Sequence, residues 1–129
     1  MDFQERLGDY IDSLGLDIRL VNDSNVDDDS IALLALAGGK TIKTYYNGVS
    51  DKVLNYEISG KVKDENRNKV LSALYTLAEK IEDLTVLESN DESFEFNGIE
   101  IASEPFFVNA TTDGFVYFSF MFQALLTTK

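Results

Sequence analysis

Apolar residues recur at helical spacing in two parts of the chain, residues 2–14 and residues 64–84. The first part predicts a short amphipathic helix that ends at Gly15. The second predicts a long helix, which Asp64 or Asn66 can cap. Its apolar stripe consists of Val70, Leu71, Leu74, Leu77, Ala78, Ile81 and Leu84.

Other parts of the chain alternate between apolar and polar residues, which is typical of strands. Strands are predicted in residues 16–22, 41–46, 53–63, 93–96, 99–102, 106–111 and 115–126. Asn47-Gly48, Asn97-Gly98 and Thr112-Asp113-Gly114 are turn signals between them. The apolar run of residues 31–37 fits either a buried strand or a helical turn, and its periodicity does not decide between them.

The segment FVYFSFMFQALL near the C-terminus is apolar on both sides of its predicted strand. One row of alternate residues is fully apolar: Val116, Phe118, Phe120, Phe122, Ala124 and Leu126. The other row, which includes Tyr117, Met121 and Leu125, is more than half apolar. A sheet with one face in water alternates cleanly between apolar and polar residues, so both faces of this strand need a cover. Helices of the chain can cover one face, and either a loop that folds back or a neighbouring molecule covers the other.

Together these elements predict an α+β fold, a two-layer sandwich in one domain that spans residues 1–129. The sheet is expected to be largely antiparallel or mixed, with both helices packed on one of its faces. Eight of the nine phenylalanines fall between residues 94 and 122, which predicts a core dominated by the C-terminal strands.

The composition excludes several classes of chemistry. The chain has no cysteine and no histidine, so thiol nucleophiles, Ser-His-Asp triads and the usual zinc sites are absent. It begins without the basic and apolar segments of a signal peptide, and no run of about 18 apolar residues could span a bilayer. We therefore expect a soluble protein that is made in a cytoplasm, has no enzymatic activity and binds no cofactor.

One acidic loop and one glycine-rich loop could suggest ligand sites, but neither has the complete motif of a known ion- or phosphate-binding loop. NDSNVDDDS (residues 22–30) lacks the central glycine and the distal glutamate of an EF-hand loop, so a solvated acidic loop is expected. AGGKTIK (residues 37–43) lacks the spacing of a phosphate-binding loop. Neither motif predicts a metal or nucleotide site.

Charge is distributed unevenly along a chain whose net charge is −12. Residues 1–30 hold nine acids and two bases, residues 31–63 hold two acids and five lysines, and residues 64–129 hold twelve acids and four bases. Separate basic and acidic patches permit head-to-tail association of identical copies. We therefore predict a subunit interface that contains Lys40, Lys43, Lys52, Lys61, Lys63, Tyr117, Met121 and Leu125.

The chain as a whole resembles the minor capsid and tail-terminator proteins of tailed phages that infect Gram-positive bacteria. The resemblance is carried by AGGKTIKTYYNG, by VLNYEISGKVKDENR running into KVLSALYTLAEKIEDL, and by SFEFNGIEIASEPFFVNATTDGFVYFSFMFQALL. It implies an α/β sandwich without enzymatic activity that forms a ring, typically hexameric, on the finished tail tube. Such a ring ends polymerisation of the tube and joins the tail to the head.

The resemblance also implies partners and a location. The partners are further copies of the chain, the major tail protein and a head-completion protein, and the location is the virion, with the host cytoplasm during assembly. DNA would pass through the ring without specific binding, because a strongly acidic protein repels phosphate. The alternatives are an acidic DNA mimic that inhibits a DNA-binding protein, and a small adaptor that adds a strand to the sheet of a partner.

Overall fold

The chain forms two α-helices and five β-strands in the part that the structure describes. A computed structural model describes residues 2–15, the backbone of residues 19–22, and residues 29–128. The elements are α1 (Phe3–Ser13), β1 (Arg19–Asn22), β2 (Ser30–Thr44), β3 (Ser50–Lys63), α2 (Arg67–Glu82), β4 (Phe94–Ala110) and β5 (Phe115–Thr128). A 3-10 turn, Asp64–Asn66, leads directly into α2. The first predicted helix is confirmed to within one residue at each end, and the second begins three residues later and ends two residues earlier than predicted.

The strands form one mixed sheet in the order β1-β2-β3-β5-β4. β1 is parallel to β2, and the other neighbours are antiparallel. Two hairpins, β2–β3 and β4–β5, supply four of the strands, and their turns coincide with the predicted Asn47-Gly48 and Thr112-Asp113-Gly114 signals. The predicted α+β fold is confirmed, and β3 and β5 lie at its centre.

Both helices pack on the same face of the sheet. The ring centroid of Phe3 in α1 lies 5.4 Å from that of Tyr56 in β3. α2 approaches β3 closely at Gly60, where an added Cβ would lie 2.5 Å from Cγ2 of Val70. The buried residues of α2 are Val70, Leu74, Leu77, Ala78 and Ile81, which belong to the predicted stripe. The layer of helices over one sheet face is thus confirmed.

The predicted N-terminal cap of the long helix is wrong. Neither Asp64 nor Asn66 makes a capping hydrogen bond from its side chain. Oδ1 of Asp64 instead accepts hydrogen bonds from Nε and Nη2 of Arg67, at 3.0 and 2.7 Å. Nδ2 of Asn66 donates to Oδ2 of Asp29 at 2.7 Å. Both side chains therefore have partners other than the backbone of the helix, and a 3-10 turn precedes α2.

Two further predictions are decided by the register of the strands. The undecided apolar run of residues 31–37 lies in β2, so the strand alternative is correct. Asn97-Gly98 is not a turn: it lies inside β4, where the register with β5 shifts between Phe96 and Gly98. Gly98 has a φ of 135°, which explains why glycine occupies this bulge. Most of the acidic loop and the first residues of the predicted strand 16–22 lie outside the described residues.

Candidate functional site

The sheet has a covered face and an open face. Cross-strand partners share a face and successive residues alternate, so the register of β3 with β5 assigns each residue to a face. The pair Ile58 and Phe120 lies beneath the helices and belongs to the core. The pair Glu57 and Met121 lies on the opposite side, which we call the open face. Both described helices pack on the covered face.

β5 shows the difference between the two faces most clearly. Its covered row is buried: Val116, Phe118, Phe120, Phe122, Ala124 and Leu126 are at most 5% exposed. In the other row Ser119 is buried, and Phe115, Tyr117, Met121, Gln123 and Leu125 are partly exposed. The prediction that helices of the same chain cover one face of this strand is confirmed. The described residues supply no second layer, so a cover by another molecule stays a prediction.

The structure places seven of the eight predicted interface residues on the open face. Two of them lie in one row across the sheet, because Lys40 in β2 and Leu125 in β5 both pair with Val53 in β3. Lys61 pairs with Tyr117 near the other end of the sheet. The register also places Lys43, Lys63 and Met121 on this face. Lys52 does not join them, because its partner is Leu126 on the covered face.

Two lysines of the open face lie against aromatic rings of their own chain. Nζ of Lys43 is 4.8 Å from the ring centroid of Tyr45, and Nζ of Lys61 is 4.5 Å from that of Phe115. Such contacts attract the ammonium group to the ring face. These contacts restrict the positions of the two ammonium groups, so two positive charges lie at defined places on the open face.

A hydrogen-bond network links β3, β4, β5 and the β2–β3 turn at one end of the sheet. The carboxylate of Asp51 accepts hydrogen bonds from Oγ1 of Thr127 at 2.7 Å and from the hydroxyl of Tyr45 at 2.9 Å. Oγ1 of Thr127 in turn accepts one from Nδ2 of Asn97 at 2.8 Å. The sequence gives no signal for this network, because it depends on β5 lying between β3 and β4.

The network shifts the pKa of two groups. The hydrogen bonds from Thr127 and Tyr45, together with the charge of Lys43, hold the pKa of Asp51 below its ordinary value of 3.8. The hydrogen bond to Asp51 and its charge raise the pKa of Tyr45. Because the folded pKa of Asp51 is lowered, its contribution to stability is present above about pH 4. It is lost as the pH falls through the folded value.

We expect replacement of Thr127 by valine to raise the pKa of Asp51 towards its ordinary value, because valine keeps the shape of threonine and removes the hydroxyl donor. Titration of the Asp51 carboxyl carbon by NMR measures this pKa directly. Replacement of Thr128 by valine is the matched control, since the hydroxyl of Thr128 contacts Ser50 and not Asp51. Equal Asp51 titration curves in the two variants would contradict the assigned network.

The two edges of the sheet differ in charge. Residues 35–44 of β2 are all exposed and carry Lys40 and Lys43 without any acidic residue. β4, at the opposite edge, carries Glu95, Glu100 and Glu104 without any basic residue, and all three are exposed. Sequence reasoning identified the basic edge and missed the acidic one, because the edge position of β4 follows from the strand order. The surplus of acids after residue 64 was the only available signal.

Other kinds of site find little support in the described residues. Within residues 2–15 and 29–128, no three carboxylates come together in a group that could hold a metal ion. Asp29, at the end of the acidic loop, accepts hydrogen bonds from the backbone of Lys63 and from Asn66. Neither described helix is long and apolar enough to cross a membrane.

The sequence matches no protein-family model and no curated protein.

Proposed function

We propose that the protein is a structural subunit of a phage virion, a tail terminator or minor capsid protein. In this role copies of the chain form a ring, typically of six, on the finished tail tube. The ring ends polymerisation of the tube and provides the surface that the head meets. Its partners are other copies, the major tail protein and a head-completion protein. It acts in the virion after assembly in the host cytoplasm.

The open face is the observation that carries this proposal. Tyr117, Met121 and Leu125 contribute partly exposed apolar side chains to it, and lysines lie beside them. Apolar residues aligned on a sheet face that lacks a second layer are typical of a surface that another molecule covers. A structural protein that joins other proteins uses such a surface, whereas a DNA mimic needs only spaced acidic groups.

The net charge of −12 also supports this role. DNA has to pass the junction between head and tail, and a strongly acidic protein repels the phosphate backbone. The acidic chain thus favours free passage of DNA over its capture.

The proposal is tested with tail tubes assembled from the major tail protein of the same phage or prophage. We expect the purified protein to form a ring at one end of each tube and to stop further growth, as seen by negative-stain electron microscopy and by tube length. We expect replacement of Leu125 by lysine to reduce capping of the tubes by about tenfold or more, because it places a charge on the open face. Replacement of Tyr75 by lysine is the matched control, since Tyr75 is 49% exposed on the helix layer.

Two outcomes would overturn the proposed function. The first is a protein that neither binds the tubes nor changes their length. The second is a stable monomer that binds tightly to a basic DNA-binding protein, which would favour the DNA mimic. If the Leu125 and Tyr75 variants cap the tubes equally well, then the open face is not the surface that binds them.

A further inference from the structure

Among the described residues, the sheet has two unpaired edge segments, which lie at its opposite sides. β1 pairs with β2 only as far as Leu33, so residues 34–44 of β2 have no strand on their outer side among the described residues. β4 forms the other end of the strand order. An unpaired edge presents backbone N–H and C=O groups that a strand of another molecule can bind.

The two edges carry opposite charges at the same height of the sheet. The register runs from Lys43 to Asp51, from Asp51 to Thr127 and from Thr127 to Glu95. Lys43 and Glu95 therefore lie at the two ends of one row and on the same face. Lys40 is level with Gly98 by the same pairings, and Gly98 lies between Glu95 and Glu100 along β4.

The accessible parts of the two edges also lie at the same end of the sheet. β1 occupies the outer side of β2 at the other end. Pro105 of β4 lies towards the end of the sheet where β1 pairs with β2. Proline has no backbone N–H, so it cannot donate a hydrogen bond to an added strand. Residues 35–44 of β2 and residues 94–103 of β4 remain as unpaired edge segments, and the register of each with its own neighbour shifts at two places.

We propose that residues 35–44 of one copy pair with residues 94–103 of the next, with Lys43 opposite Glu95. This inference rests on the proposed function, because it names the contact by which copies join in the ring. β2 and β4 run in opposite directions within the sheet, so a neighbour rotated about an axis along the strands meets β4 in an antiparallel pair. A closed ring has no rise between copies, so residues at equal height meet.

The same charges disfavour the wrong contacts. Pairing of two β2 edges would bring lysines together, and pairing of two β4 edges would bring glutamates together. Like charges in opposed positions are destabilising. A two-fold dimer through either edge is therefore disfavoured, and the head-to-tail contact that generates a ring remains. Ile42, which is 60% exposed on β2, adds apolar area to this contact.

Disulfide cross-linking tests the contact in a chain without cysteine. We expect Lys43→Cys together with Glu95→Cys to give, on mild oxidation, a ladder of covalent oligomers that ends at the size of the ring. Lys43→Cys together with Asn109→Cys is the matched control and should give no ladder, because Asn109 is level with Tyr117 near the other end of β4. The oxidised protein is examined both free and on tail tubes.

Charge exchange provides an independent test. We expect Lys43→Glu alone and Glu95→Lys alone each to raise the concentration needed for half-assembly by about tenfold, and the double variant to restore it. Lys69→Glu makes the same change of charge at an exposed position of α2 and should leave assembly unchanged. Because these positions are exposed, the variants are expected to fold, which circular dichroism checks.

The outcomes separate the two proposals. The edge contact would be overturned if rings cap the tubes but no cross-link forms between positions 43 and 95 and the double charge variant does not regain assembly. The proposed function would remain. Cross-links to the tube protein in place of a second copy would also overturn it. A protein that forms neither rings nor caps would contradict both.

Discussion

Replacement of Phe120 by alanine is expected to lower the free energy of unfolding by about 3–5 kcal/mol. Phe120 is fully buried in β5, its partner in β3 is Ile58, and its ring centroid lies 6.1 Å from that of Phe122. Truncation would leave a cavity between the sheet and the helices, which the surrounding elements can close only in part. Equilibrium unfolding in urea, with comparison of the m-values, measures the loss.

Replacement of the next residue, Met121, by alanine is the matched control. Met121 is only partly buried on the open face, so we expect a loss of roughly 1 kcal/mol or less in the isolated chain. The contrast between adjacent residues tests the assignment of the two faces. Equal losses would show that the open face is as well packed as the covered one and would contradict the structure.

Replacement of Phe3 by alanine is expected to cost about 3–5 kcal/mol as well. Phe3 is fully buried although it stands near the start of the chain. Its ring centroid lies 5.4 Å from that of Tyr56, 5.5 Å from that of Phe94 and 6.4 Å from that of Phe96. It therefore joins α1 to both β3 and β4, and its loss should destabilise the whole domain.

Chemical denaturation and hydrogen exchange together test the role of Phe3. Replacement of Asp12 by alanine is the control, because Asp12 is exposed on the same helix, and we expect a change within about 0.5 kcal/mol. If the Phe3 variant exchanges faster only within α1, with unchanged stability of the sheet, then α1 is an independent unit and the prediction fails.

The sequence predicted the features that depend on local periodicity. Alternation along β5 identified its buried row residue by residue, and the stripe from Val70 to Ile81 identified the core side of α2. Local signals failed where one pattern fits two structures. The apolar run of residues 31–37 lacks a period, and Asn97-Gly98 suits a bulge as well as a turn because both need a residue with positive φ.

The candidate site was predictable only in part, because it depends on the order of the strands. The lysines could be grouped from the sequence, but the level position of Lys43 and Glu95 follows from three successive strand pairings. Lys52 was included in the predicted interface because it lies near the other lysines in sequence, whereas the pleat turns it to the covered face. Each of these relations joins residues that are far apart along the chain.

The order of the strands also bears on how the domain folds. The two hairpins close by local contacts, but the sheet is complete only when β3 meets β5, for example when Ser50 reaches Thr128. Pairing of β3 with β5 brings together residues that are distant in sequence, and such contacts form more slowly than local ones. Until β3 and β5 have paired, the edge of β5 that will meet β3 stays exposed to solvent, together with the aromatic residues of this strand. We therefore expect aggregation of newly made chains to begin at the strand that later lies in the middle of the sheet.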